Sequence, residues 1–243
     1  MADLHVISAG AAKGLVQGLQ DAFQRDTGFA LQCTFGAVGA MLERFNSGGP
    51  CDVIILTRAM LDALAREGRV DALAHERRVA APGIADLGWV HTGVALPSGV
   101  PPRPVSDVAS LRSVLEPAHA IYLPDPERAT AGIHALRVLK ALQLPDLERR
   151  LRAYPNGAAA MAALAEEGDA HAVGITQVSE IRYTHGVQLL GVLPAPHGLA
   201  TLYSAAVVHR AAQASAAALL LQRLTDPARA AWRQQAGFEA AAR

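Results

Sequence analysis

Leu4-His-Val-Ile-Ser8-Ala-Gly10-Ala-Ala-Lys13-Gly-Leu15-Val16 decides how the rest of the chain is read. Leu4 to Ile7 is a short apolar run of strand type, and Ser8 to Ala11 is a turn of very small residues. Leu15, Val16, Leu19 and Phe23 then recur at helical spacing, so the stretch predicts strand, tight turn and helix N-terminus. Such a turn presents backbone N–H groups that have no partner inside the helix. Together with the positive end of the helix dipole they form a ready site for an anion, and small side chains let a ligand approach the backbone itself. The same small residues also suit plain packing between strand and helix, so the turn alone does not decide between ligand and structure.

The device recurs. Ala30 to Phe35 reads as a second strand ending in Phe35-Gly36-Ala-Val38-Gly39, which opens onto a helix carrying Met41, Leu42 and Phe45. Asp52-Val-Ile-Ile-Leu56 is apolar on both faces, as a central parallel strand should be, and delivers Thr57 and Arg58 to its C-terminal end. Strands alternating with helices over short connections imply a parallel α/β sheet, whose ligands sit outside the C-terminal strand ends. Ser8 to Lys13, Phe35 to Gly39 and Thr57-Arg58 would all lie at such ends.

Residues 80–93 read as an irregular crossing into a second lobe. Gly93 to Leu96 and Ala120 to Leu123 are expected strands, with a helix capped by Ser106 between them. The loop Pro124 to Ile133 leads into a helix with Leu136, Leu139 and Leu142, and Tyr154-Pro-Asn156-Gly157 starts another. Ala172-Val-Gly-Ile-Thr176 is a strand delivering Gln177. Val187 to Val192 and Ala200 to Val208 are strands joined by Pro194 to Gly198, read as the return crossing, and Asp226-Pro227 is an N-cap and N1 pair for the last helix. These crossings divide the chain into lobe 1, residues 1–84 and 195–243, and lobe 2, residues 85–194.

Composition narrows the function. A chain of 243 residues with 51% hydrophobic and 18% charged residues is globular. Its 22 basic and 22 acidic residues balance and aromatics make up only 5%, which speaks against a nucleic-acid partner or a stacking platform. The longest apolar runs are too short for membrane insertion. The two cysteines, Cys33 and Cys51, fit neither a metal motif nor a redox pair and read as free buried thiols on strands flanking the first. The nine histidines are scattered without metal-ligand spacing, so no metal is expected, and no phosphate loop, dinucleotide fingerprint or nucleophile elbow calls for a cofactor. Met1-Ala-Asp3 runs straight into the first strand, so the expected location is cytoplasmic as the sequence stands, and periplasmic if a signal peptide has been removed.

The order of turns resembles the periplasmic molybdate-binding proteins and, more broadly, the type II solute-binding proteins. The resemblance rests on Ser8 to Lys13, Phe35 to Gly39, Gly49-Pro-Cys-Asp-Val-Ile-Ile55, Asp125 to Ile133, Val173-Gly-Ile-Thr-Gln177 and Thr225-Asp-Pro-Ala-Arg-Ala-Ala-Trp232 with Gly237-Phe238. It implies two Rossmann-like α/β lobes joined by two hinge crossings and closing on a ligand in the cleft. Where the molybdate binders supply serine hydroxyls, a backbone N–H and a tyrosine, this sequence places Ala11, Val38 or Gly39, Ala129 and Gln177. Each hydroxyl lost to a buried dianion costs about 1–3 kcal/mol, so the expected ligand moves from molybdate toward a small organic di- or tricarboxylate.

The candidate ligand-binding residues are Ser8, Gly10, Ala11, Lys13, Gly36, Val38, Gly39, Arg58, Ala129, Thr130, Ala131, Asn156 and Gln177. Lys13 sits in a first helical turn, where a cation opposes the helix dipole unless an anion is near. Arg58 either clamps a carboxylate or pairs with a neighbouring acid. Thr130 and Asn156 are either helix caps or ligand groups. The family also includes cofactor-free enzymes, aconitate isomerase among them, so a second expectation is proton transfer on a small carboxylate with Lys13 or His134 moving the proton. A third is an oxyanion-binding component of an ABC transporter, in which case a membrane transporter would be the partner.

Overall fold

A computed structural model describes residues 2–71 and 83–240. The chain divides into two compact units, unit 1 (Met1–Trp89 and Thr201–Arg243) and unit 2 (Val90–Ala200), so it passes from one to the other twice.

In unit 1, β1 (Ala2–Ala9) leads through a 3-10 turn (Gly10–Ala12) into α1 (Lys13–Thr27). There follow β2 (Phe29–Gly36), α2 (Val38–Asn46), β3 (Val53–Thr57) and α3 (Arg58–Arg66). β1 pairs in parallel with β2 and with β3, Ala9 lying opposite Gly36 and Ser8 opposite Ile55. The strand ends that feed α1 and α2 are therefore flush. The four apolar positions read from the sequence as one helical face, Leu15, Val16, Leu19 and Phe23, are all buried on α1. Gly28 closes α1 in the left-handed region at φ 77°, where a glycine pays no Cβ penalty.

β4 (Ile84–Pro97) belongs to both units, and it corrects the expectation of an irregular 80–93 segment, of which residues 80–82 lie outside the described residues. Gly88, at φ 141°, is what breaks the strand pattern in the sequence. The Glu239 backbone lies against it where a Cβ would stand, and Trp89 and Glu239 exchange two 2.8 Å backbone hydrogen bonds.

Unit 2 continues with α4 (Val108–Leu115), β5 (Ala120–Pro124), α5 (Thr130–Ala141), α6 (Leu147–Arg150) and β6 (Leu151–Tyr154). It ends with α7 (Gly157–Glu167), β7 (Ala172–Gln177), α8 (Val178–Tyr183) and β8 (Val187–Val192). The cap of α4 is Asp107, in a reciprocal capping box with Ser110, rather than Ser106. β5 runs parallel to both β6 and β7, while β4 pairs antiparallel with β7 and β8. One buried cluster joins α4 and α5 to the sheet through Leu111, Leu115, Val138 and Leu139. The other seats α7 and α8 through Met161, Leu164 and Ile181.

Unit 1 is completed by β9 (Ala200–Val207), antiparallel to β3, then α9 (Ala214–Thr225), a 3-10 turn (Pro227–Arg229) and α10 (Ala230–Gln235). Asp226 caps that turn with Pro227 at its first position. Cys33 and Cys51 are free but only partly buried, and Cys51 precedes β3 instead of lying in it. Burial still pushes their thiols up, to about 11 and about 12, which leaves both unreactive at neutral pH. No helix among the described residues is long and apolar enough to cross a membrane.

Candidate functional site

At the C-terminal ends of the parallel strands, the helix N-termini fall into two kinds. The 3-10 turn ahead of α1 is entered from Ala9, α2 from Ala37 and α5 from Ala129, and none of these three alanines has a side chain that caps. Serine, threonine, aspartate or asparagine at such a position is worth about 1 kcal/mol over alanine. The chain forgoes that stabilisation three times at strand ends of one kind. It leaves the first-turn N–H groups of Gly10 and Ala11, Val38 to Ala40 and Thr130 to Gly132 without an intrahelical acceptor. α3 and α7 are capped in the ordinary way, Thr57 accepting from Met60 and Asn156 from Ala159 at 2.9 Å, while α6, α8, α9 and α10 also have no side-chain cap.

In unit 1 the candidates on β1, β2 and their turns come together at one sheet edge. Ser8 is fully buried, and its hydroxyl donates to the carbonyl of Ala9 at 3.0 Å, so it serves the turn locally. Gly10 and Ala11 are buried within the 3-10 turn and Lys13, partly exposed, is the first residue of α1. Gly36 is opposite Ala9, and a Cβ there would come within 2.7 Å of the Met41 side chain. Val38 is buried and Gly39 partly exposed at the start of α2. Arg58 has taken the ion-pair alternative: its Nε donates to Asp62 at 2.8 Å and its Nη1 to Asp86 at 3.0 Å. The buried Ser204 hydroxyl on β9 donates to the same Asp86 carboxylate at 2.7 Å. Hydrogen bonds first to Asp62 and then to Asp86 raise the affinity of the Arg58 guanidinium for its proton.

In unit 2, Asp125 shapes the approach to α5 by accepting the N–H groups of Glu127 at 2.8 Å and Arg128 at 3.0 Å. Gly132 lies so close to the Pro124 and Asp125 carbonyls that only glycine fits. Ala129 and Ala131 are buried, and Thr130 is the first helical residue rather than the cap. His134 Nε2 lies 2.7 Å from the His197 carbonyl. A carbonyl only accepts, so Nε2 is the donor in this contact. Gln177, buried at the end of β7, is in register with Thr92 on β4, whose buried hydroxyl has no hydrogen-bond partner among the described residues.

Sequence reasoning missed Glu180. This residue is buried, yet it carries a carboxylate at the third position of α8. Thr176 donates to it at 2.6 Å, and the backbone N–H groups of Gly157, Ala158 and Gln177 also point at it. Burial pushes this carboxyl up from the ordinary 4.5, against the pull of those four donors. The available signal was the acid itself, three residues after Gln177, where a glutamate reaches back to the N–H of the capping residue.

Two α/β units, a chain that crosses twice between them and helix N-termini bared at the parallel strand ends define a solute-binding protein of the type II periplasmic class. The chain belongs to the bacterial extracellular solute-binding protein family, whose pattern matches residues 4–239. It is similar in fold to the periplasmic molybdate-binding protein of Azotobacter vinelandii, with a TM-score of 0.74 at 17% identity over 98% of this chain and 100% of that one. The sulfate-binding protein SubI of Mycobacterium tuberculosis H37Rv gives a TM-score of 0.70 at 18% identity over 98% of this chain and 86% of that one. In sequence it is 27% identical to the aconitate isomerase of a Pseudomonas species, over 92% of this chain and 82% of that protein.

Proposed function

We propose that the solute is a small organic anion, a di- or tricarboxylate, held mainly by backbone N–H groups at bared helix N-termini. The observation that carries this reading is the repeated alanine cap at Ala9, Ala37 and Ala129, which withholds the chain's own acceptors where an anion would supply them. Lys13 adds positive charge beside the first of these ends. The absence of hydroxyls at Ala11 and Val38 favours carboxylates, which take bidentate N–H donors well, over a compact tetrahedral oxyanion. Arg58, shared between Asp62 and Asp86, contributes to this edge through the network and would meet a ligand only by exchanging an acid for it. Titration calorimetry with citrate, both aconitate isomers, molybdate and sulfate tests the reading. Micromolar binding of a tricarboxylate supports it, and tight binding of molybdate alone refutes it.

A second reading, cofactor-independent isomerisation of such a carboxylate, is supported by the likeness to an aconitate isomerase. His134, whose ring is held through Nε2 by the His197 carbonyl, or Lys13 would move the proton, and the bared helix ends would stabilise enolate-like charge. Proton NMR of cis- and trans-aconitate incubated with the protein distinguishes capture from turnover. Under the capture reading the protein works outside the cytoplasm with a membrane transporter as partner; under the isomerase reading neither is required.

A further inference from the structure

We infer that the Thr92 hydroxyl is a ligand group of unit 2, donating its hydrogen bond to the anion that the α5 N-terminus receives. The inference rests on the proposed reading of the bared helix ends as anion donors, and it adds a side chain to them.

Thr92 on β4 is fully buried, and its hydroxyl has no hydrogen-bond partner among the described residues. Packing alone calls for valine at such a position, which has the shape of threonine without a buried hydroxyl to satisfy. Side chains alternate along a strand. Thr92 lies two residues before Val94, and Gln177, its partner in register, lies two residues after Ile175. Val94 and Ile175 pack into the cluster that contains Ala135, Val138 and Leu139 of α5, so Thr92 and Gln177 face the α5 side of the sheet. Their level along the strands is that of the α5 N-terminus. β7 runs parallel to β5 with Gly174 opposite Tyr122, which sets Gln177 level with Asp125, where the chain leaves β5 for α5.

One segment of unit 2, residues 193–199, ties Thr92 to α5. The Leu193 N–H donates to the Thr92 carbonyl at 2.9 Å, and the Thr92 N–H donates to the Leu199 carbonyl at 2.9 Å. From the first turns of α5, His134 Nε2 donates to the His197 carbonyl at 2.7 Å. Both backbone groups of Thr92 are thereby satisfied and its position is fixed, which leaves the hydroxyl as its one polar group without a partner among the described residues. The N–H groups of Thr130 to Gly132 have no side-chain cap on the same side of the sheet. An anion received there answers both deficits, accepting from the helix N–H groups and from the Thr92 hydroxyl.

The test is Thr92→Val, with Thr92→Ser as the control that keeps a hydroxyl, each melted without ligand and titrated by calorimetry with citrate, molybdate and sulfate. Thr92→Val should melt at or above the wild-type temperature, because an unpartnered hydroxyl is removed. Its dissociation constant for whichever of the three anions the wild type binds should rise about tenfold, as loss of a hydrogen bond to a charged group requires, while Thr92→Ser stays near the wild type. A Thr92→Val chain that melts lower, does not fold, or changes affinity by less than about threefold overturns the inference, the first two because the hydroxyl then serves the fold. A loss of affinity in Thr92→Ser as large as in Thr92→Val also overturns it, since the methyl group and not the hydroxyl would then matter. The two claims fail separately. Wild-type protein that binds molybdate or sulfate and ignores citrate refutes the carboxylate reading, and Thr92→Val must still weaken that anion; wild-type protein that binds none of the three overturns both.

Discussion

The N-termini of α5 and α7 follow neighbouring parallel strands of unit 2 and are built in opposite ways. α7 is entered from an asparagine that caps, and a buried glutamate from α8 closes on its first N–H groups. α5 is entered from an alanine, and its first turn is served by no side-chain cap. Local sequence explains both: Asn156-Gly157 supplies the cap and the space for Glu180, whereas Ala129 supplies no side-chain acceptor at the capping position. The difference teaches that neighbouring strand ends can open helices of either kind: α3, α4 and α7 have side-chain caps, whereas α6, α8, α9 and α10 have none, as at the alanine-led ends.

The sharpest way to break the comparison is to deny α7 its anion. Gly157→Ala sets a methyl group against the Glu180 carboxyl and should cost about 3 kcal/mol or more, because the methyl overlaps buried groups and the carboxyl loses its hydrogen-bond partners; urea denaturation reads the loss. The converse is to give α5 what α7 has. Ala129→Asp should raise stability by about 1 kcal/mol through capping while weakening anion binding at least about tenfold, a pairing of effects visible by denaturation and calorimetry on one variant.

A smaller effect follows from the titration of Glu180. Its carboxyl is pushed up in the folded chain, so the folded state holds the proton more tightly than the unfolded one. Its contribution to stability is present below the ordinary carboxylate value of 4.5 and is lost as pH rises from there through the raised folded value. Unfolding free energies measured from pH 4 upward should fall more steeply with pH in the wild type than in Glu180→Gln. The smallest effect is expected in unit 1, where the Arg58 side chain is 40% exposed beside Asp62 and Asp86. Arg58→Gln should cost under about 1 kcal/mol, as exposed ion pairs do, and a much larger loss of ligand affinity would show that Arg58 trades an acid for the ligand.

Much of this architecture is legible in the residues. The apolar runs Leu4 to Ile7 and Val53 to Leu56 become buried parallel strands, and the small-residue turns after β1 and β2 open helices where expected. Elements escaped where a signal was local to the fold and not to the pattern. The first half of β4 was hidden by Gly88, which is needed because the Glu239 backbone approaches there from far along the chain. β6 was hidden because its four residues are at most partly buried and so carry no apolar run. Within the site, the alanines at the bared ends were readable as positions that lack hydroxyls. The Glu180 carboxylate was not, because its donors come from Thr176, Gly157 and Ala158, and the last two lie more than twenty residues away.

The central claim is that backbone N–H groups at the alanine-led helix ends receive the ligand while those of α7 are already taken. Amide chemical shifts on titration with a tricarboxylate test it most directly. The largest changes are predicted at Gly10, Ala11, Val38, Gly39 and Thr130 to Gly132, with Gly157 and Ala158 nearly silent. Dominant changes at Gly157 and Ala158, with the alanine-led ends unmoved, would contradict it.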